Sequence, residues 1–159
     1  MDEGTIVLLK ACLEKKMEGS LLDLGCGYGV IAIITKTIFP QLTVTAVDIN
    51  PRAAELAMLN GRNNNVDIDV KLSDGFSQIE TNFDIILTNP PIRTGKKVIY
   101  GLFADAYEHL TPGGYLYIVI RRKQGAESAM KEIERLFGMC NIILREKGFW
   151  VLEAKKAGN

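Results

Sequence analysis

Asn89-Pro90-Pro91-Ile92 follows directly on Phe83-Asp84-Ile85-Ile86-Leu87-Thr88, a run that reads as a buried strand. Consecutive prolines fix φ and remove backbone donors, so a chain must leave a sheet rigidly at such a point. The Asn89 amide and the Pro90 carbonyl then become fixed polar groups at the strand's carboxyl end. A pair of oxygens held there can accept both hydrogens of a planar amino group, which suits a reaction at an exocyclic NH2. An ordinary turn asparagine needs no such frame.

A second group of residues lies upstream. Ser20-Leu21-Leu22-Asp23-Leu24 reads as a short apolar strand, Gly25-Cys26-Gly27-Tyr28-Gly29 follows, and Val30-Ile31-Ala32-Ile33-Ile34 opens a helical pattern. A strand, a glycine turn and a helix N-terminus together form a nucleotide-type site, because bare backbone can approach a ligand closely. The spacing is G-x-G-x-G, unlike the G-x-G-x-x-G of pyrophosphate binders. Asp48, followed by Ile49, closes the next strand, Leu42-Thr43-Val44-Thr45-Ala46-Val47. An acid there can accept hydrogen bonds from both ribose hydroxyls, although it could also cap the following helix. Asp23 can orient the loop's amides or reach a cofactor amine. Asp74, in Ser73-Asp74-Gly75-Phe76, ends a further strand.

Asp23-Leu24-Gly25-Cys26-Gly27-Tyr28-Gly29 resembles the cofactor motif of class I S-adenosylmethionine-dependent methyltransferases. Leu87-Thr88-Asn89-Pro90-Pro91-Ile92-Arg93-Thr94-Gly95-Lys96-Lys97, with Leu110-Thr111-Pro112-Gly113-Gly114 and Lys123-Gln124-Gly125-Ala126, is similar to the 16S ribosomal RNA guanine-N2 methyltransferases and their short relatives. The resemblance implies S-adenosylmethionine as cofactor, held by Asp23, Gly25, Cys26, Gly27, Gly29, Asp48, Ile49, Asp74 and Asn89, with Asp74 on the adenine amino group. It implies methyl transfer to a guanine N2 oriented by Asn89 and Pro90, with ribosomal RNA or the small ribosomal subunit as partner. Another amine acceptor (protein glutamine, adenine N6 or a small molecule) or a silent cofactor-binding RNA module remains the alternative. Ile92 stands where related Asn-Pro-Pro motifs carry Tyr or Phe, so it offers apolar contact instead of stacking. Relatives carry a segment ahead of Asp2-Glu3-Gly4-Thr5, which the family's pocket lid would use.

A length of 159 residues with 47% hydrophobic content indicates one globular domain over residues 1–159. No apolar run is long enough to span a membrane, and no signal peptide is evident. Cys12, Cys26 and Cys140 are widely spaced, so neither a zinc site nor a disulfide framework is indicated, and a reducing cytoplasm is the expected compartment. Net charge is zero, but basic residues cluster in two acid-free stretches: Arg93, Lys96 and Lys97, then Arg121, Arg122 and Lys123. Both begin near strand ends, so Pro91, Ile92 and these six residues form the expected substrate rim, gripping phosphates around an unstacked base.

The elements that must position these groups alternate. Apolar residues Ile6, Leu9, Cys12, Leu13 and Met17 recur at helical period over Thr5 to Glu18. Helices are expected from about Gly29 to Phe39, Asn50 to Asn60, Val98 to Leu110 and Ala126 to Phe137. Strands are expected at Ser20 to Leu24, up to Asp48, at Ile68-Val70-Leu72, Phe83 to Thr88 and Tyr115 to Ile120. Cys140 to Leu144 and Phe149 to Ala154, joined by Glu146-Lys147-Gly148, can only make an antiparallel hairpin. The order implies an α/β, doubly wound, mostly parallel sheet, and with the closing hairpin it resembles the seven-stranded Rossmann-like sheet expected of a class I methyltransferase. His109 reads as a surface or capping residue and Trp150 as core.

Overall fold

A strand that is apolar along its whole length needs cover on both faces, and helices between parallel strands supply it. The structure, a computed structural model describing residues 1–158, realises this pattern. In chain order it contains α1 (Glu3–Cys12), β1 (Ser20–Leu24), α2 (Val30–Ile38), β2 (Thr43–Asp48), α3 (Pro51–Asn63), β3 (Asp69–Leu72) and β4 (Phe83–Thr88). There follow α4 (Lys96–Glu108), β5 (Leu110–Arg121), α5 (Ala126–Phe137), β6 (Asn141–Glu146) and β7 (Phe149–Lys155). The seven strands form one sheet in the order β3-β2-β1-β4-β5-β7-β6. The first five in sequence are parallel, while β7 runs antiparallel between β5 and β6. Lys147 and Gly148 both have positive φ, 53° and 80°, as a two-residue type I′ hairpin turn requires.

Each sheet face has its own core. Ile99, Phe103 and Ala106 of α4 and Ala129 and Ile133 of α5 pack with Leu22, Ile86, Leu116 and Ile118. Leu8 and Cys12 of α1 and Ile31 and Ala32 of α2 pack on the other face with Leu21, Val44, Leu87 and Val119.

Four expectations change at element ends and edges. α1 stops at Cys12 instead of Glu18, closed by a bond from the Lys15 amide to the Cys12 carbonyl, 3.0 Å. The core takes Val7, Leu8, Ala11 and Cys12 and leaves Ile6 46% exposed. Met17 is buried from the extended segment that leads into β1. Thr111-Pro112-Gly113-Gly114 opens β5 where a helix stop was expected; α4 ends earlier, at Glu108, capped by His109. The register of β4 against β5 shifts there, and the chain bonds β7's tail through Gly113 N to Lys156 O and Lys156 N to Gly114 O. β3 is a short edge strand, so Leu72 is 51% exposed and only Ile68 and Val70 pack inward. Trp150 packs beside the core, half-buried, with the Arg145 guanidinium 5.2 Å from its ring centroid.

Candidate functional site

Strand register brings the separate motifs to one level. Leu24 pairs with Val47 on one side and Thr88 on the other, Asp48 pairs with Leu72, and Thr88 pairs with Ile118. The Thr88 hydroxyl donates to the Leu24 carbonyl at 2.9 Å and ties the last residues of β4 and β1 together. The chain runs from β1 outward to β2 and β3 on one side and then crosses back to β4 on the other, so the glycine loop and Asn89 flank the topological switch point. Ligands of open α/β sheets bind there.

The glycine loop is held from below. Gly25 N and Cys26 N both donate to the Val47 carbonyl, at 2.9 and 2.8 Å. Gly25 and Gly27 have φ of 76° and 54°, and a Cβ at either would meet nothing within 4 Å. Their outer surface is bare backbone facing a cavity. Gly29 differs: a Cβ there would lie 3.2 Å from Ala57 Cβ, so this glycine lets α2 pack on α3 and does not line the cavity. Asp48 Oδ2 accepts from Gly27 N and its Oδ1 from Asn50 N, both at 2.9 Å. Asn50, not Asp48, caps α3. Asp48 thus stiffens the loop, and each of its oxygens retains a lone pair.

Two cavities meet over these residues. One, about 170 Å3, is lined by Asp2, Thr5, Gly25, Gly27, Val30 and Asn89. The other, about 270 Å3, is lined by Gly25, Asp48, Ile49, Asp74, Val98 and Leu102, and it also reaches Asn89. The first mixes backbone and polar groups with the apolar side chains of Met1, Val30 and Ile31. The second has apolar walls with two carboxylates, a fit for a ribose and a flat base. A larger cavity, about 570 Å3, opens among Lys15, Asp84, Thr111 and Glu153 at the opposite end of the strands, away from the glycine loop, Asp48, Asp74 and Asn89.

Asp23 is fully buried beneath the loop. Its Oδ2 accepts from Ala32 N at 3.2 Å, while Oδ1 has no partner among the described residues. Burial pushes its carboxyl up to about 7, against the Ala32 hydrogen bond, and the nearby Asp48 adds to the rise. Cys26 is also buried, its thiol donating to the Gly27 carbonyl at 3.3 Å, and burial raises its pKa.

Asn89 is half-buried, and its Nδ2 donates to Asp2 Oδ1 at 3.2 Å and to Thr5 Oγ1 at 3.4 Å. Its Oδ1 and the Pro90 carbonyl have no partner among the described residues. Past Pro91 the chain makes a single 3-10 turn, Ile92–Thr94, in which the Pro91 carbonyl accepts from Thr94 N and Oγ1. Ile92 is half-buried against the core and lines a small pocket with Tyr100, Ile120 and Gln124.

Arg93, Lys96 and Lys97 leave β4, and Arg121, Arg122 and Lys123 leave the adjacent parallel β5, so both stretches emerge at the same sheet end. All six are exposed. They are not equivalent. Arg122 pairs with Glu127 at 3.2 Å, Arg121 lies 4.3 Å over the Phe149 ring, and Lys96 lies 5.4 Å over Tyr100. Arg93, Lys97 and Lys123 have no such partner among the described residues.

Sequence reasoning missed Asp2 and Thr5 as hydrogen-bond partners of Asn89, and Val98 and Leu102 as cavity walls. Asp2-x-x-Thr5 is legible as a helix cap, but not its contact with a residue 87 positions away. Val98 and Leu102 share a helix face, a pattern that reads equally as core. Among the described residues there is no cluster suited to a metal ion and no helix long and apolar enough to cross a membrane.

The profile of the family described as methyltransferase small domain matches residues 1–153. An uncharacterized protein of Bacillus subtilis, YbxB, is 40% identical over 159 residues, 98% of this chain and 79% of that protein. A ribosomal RNA small subunit methyltransferase C of Haemophilus influenzae is 40% identical over 123 residues, but the match covers 75% of this chain and only 37% of the relative. Among solved structures, a T. thermophilus 16S rRNA N2 methyltransferase in complex with AdoMet and guanosine superimposes with a TM-score of 0.88 at 24% identity. That superposition covers 98% of this chain and 43% of the other.

Proposed function

The chain belongs to the methyltransferase small domain family, and we propose that it transfers a methyl group from S-adenosylmethionine to the N2 amine of a guanine in small-subunit ribosomal RNA. The observation that carries this reading is the level placement of Asn89, with a free Oδ1, beside the glycine loop and Asp48 at the switch point. The residues present fit the cofactor. Bare backbone at Gly25 and Gly27, the unpartnered Asp23 carboxyl oxygen below it and the Asp48 carboxylate suit the amino-acid and ribose parts. Ile49, Val98, Leu102 and Asp74 suit the adenine. The small-subunit relatives support ribosomal RNA as the acceptor, and that substrate sets the reaction in the cytoplasm.

S-adenosylmethionine supplies an electrophilic methyl group on a sulfonium, so the hard chemistry belongs to the cofactor. The chain's own residues handle the acceptor. Asn89 Oδ1 and the Pro90 carbonyl accept the two amine hydrogens and turn the nitrogen lone pair toward the cofactor side. Orientation of this kind can contribute several kcal/mol, up to about 7–11 in the best model systems. The amine acidifies as it is alkylated, and its proton leaves to solvent. Arg93, Lys97 and Lys123, with Lys96, Arg121 and Arg122 beside them, hold phosphates around the unstacked base.

The test is methylation of naked ribosomal RNA and of assembled small subunits with labelled cofactor, followed by mapping of the modified base. A single N2-methylguanine is expected, its formation in single turnover slowed about 100-fold or more by Asn89→Ala with cofactor affinity nearly intact. Label on protein glutamine, on adenine or on a small molecule instead would overturn the acceptor. Cofactor binding without any transfer would mark a silent module.

A further inference from the structure

Resting on the role just given to Asn89, we infer that the first turn of α1 is a positioning clamp that sets which face of the Asn89 amide meets the acceptor. A primary amide can present either its oxygen or its NH2 to a ligand, and only the oxygen can accept from an amine. The neighbours of Asn89 decide between them. The Asp2 carboxylate lies on one side at 3.2 Å. An ionised carboxylate only accepts, so the amide must turn Nδ2 toward it. Thr5 Oγ1 lies at 3.4 Å, and its one proton goes to Asp2 Oδ2 at 3.2 Å. Thr5 therefore offers Asn89 a lone pair as well. Both Nδ2 hydrogens have acceptors, and a flipped amide would set its oxygen against two other oxygens. Oδ1 is left for the acceptor amine.

The clamp is built by the helix start. Asp2 caps α1 by accepting from Thr5 N at 2.9 Å, so the same carboxylate fixes the turn and the asparagine. Gly4 lets the turn come close: a Cβ there would sit 3.1 Å from Asn89 Nδ2, 3.1 Å from Phe149 Cε1 and 3.2 Å from Asp2 Oδ1. The helix thus approaches Asn89 with bare backbone at Gly4 and polar groups at Asp2 and Thr5. Asp2, Thr5 and Gly4 are positioning residues; none needs to touch substrate.

Asp2→Ser tests this without removing the cap, because serine is a good N-cap but is too short to reach Asn89. Its melting temperature should stay near the parent's, and because Asp2 also lines the cavity over Gly25 and Gly27, the transfer rate is read at saturating cofactor. The single-turnover methyl-transfer rate should fall about 10- to 100-fold, the scale of a misaligned reactive group. Thr5→Val should fall likewise, and Thr5→Ser should recover. In an Asn89→Ala background Asp2→Ser should cost nothing further, as groups acting as one unit require. The Asn89 side-chain 15NH2 resonance, read with S-adenosylhomocysteine bound, should be rigid in the parent and mobile in Asp2→Ser. A parent-like transfer rate in Asp2→Ser, additive losses in the double variant, or a mobile Asn89 amide in the parent would each overturn the clamp. If the parent methylates no RNA, the proposed acceptor fails and the amide measurement still decides the clamp.

Discussion

Asp48 accepts from Gly27 N through one oxygen and from Asn50 N through the other, so it both shapes the loop and faces the cavity. Asp48→Ala removes charge-assisted bonds worth about 1.5–3 kcal/mol each. Calorimetry with S-adenosylhomocysteine should show affinity lowered about 10-fold or more; parent-like affinity would remove Asp48 from the site. Asp23 makes a second, pH-dependent prediction. Its carboxyl titrates near 7 in the fold against an ordinary 3.8, chiefly because burial disfavours the charge. Between those values the unfolded chain has lost the proton and the folded chain keeps it, so stability falls as pH rises through that window. A shift of this size corresponds to about 4 kcal/mol at most, at 1.36 kcal/mol per pH unit. Asp23→Asn, which mimics the protonated acid, should flatten the fall in urea midpoint between pH 5 and pH 8. Equal slopes in parent and variant would show that Asp23 is not the titrating group.

At the scale of elements, the strand ends opposite the site are tied by Asp84. Its Oδ2 accepts from Ser20 N at 2.9 Å and its Oδ1 from Thr111 Oγ1 at 2.8 Å, joining the starts of β1, β4 and β5. The Ser20 amide and the Thr111 hydroxyl hold its carboxyl below the usual range, so the stabilisation is present at neutral pH and is lost on acidification. Gly19 and Gly114 leave room for this tie: a Cβ on Gly19 would strike the Asp84 carboxylate, and one on Gly114 would lie 2.9 Å from the Asp84 carbonyl. Asp84→Ala should destabilise the protein by about 3 kcal/mol, in the range of one to two such bonds. Equilibrium denaturation at pH 7 reads it, and the parent-variant gap should shrink at low pH. A gap independent of pH would assign the loss to packing.

Over the whole molecule, a chain with net charge zero still presents two exposed basic stretches at one sheet end. Local distribution decides an encounter with a polyanion, because charges farther away are screened within about 8–10 Å. If RNA is the acceptor, Arg93→Gln with Lys97→Gln should weaken RNA binding and lower its salt slope by roughly 0.7–0.9 for each phosphate left without a cation. Arg122→Gln should do less, because Glu127 already pairs with it. Cofactor affinity should not move in either. Filter binding across a salt series checks this; an unaltered slope in the double variant would leave a methyltransferase with another kind of acceptor.

Composition, periodicity and two short motifs sufficed for the α/β class, the parallel core, the closing hairpin, and the placing of Asp48 and Asn89 at one end of the sheet, because each depends on local chemistry. Glycine permits positive φ, proline ends a strand, and alternating elements must cover both sheet faces. Element ends escaped such reading: α1 stops at Cys12 and β5 starts at Leu110, because core packing and partner strands override local preference. Only the folded chain sorts glycines of one motif into cavity wall, at Gly25 and Gly27, and helix packing, at Gly29. It alone pairs Arg122 with Glu127 within a basic run. It also brings Asp2 and Thr5 onto Asn89, since hydrogen bonds depend on separation in space, and these partners stand 87 and 84 residues apart in the chain.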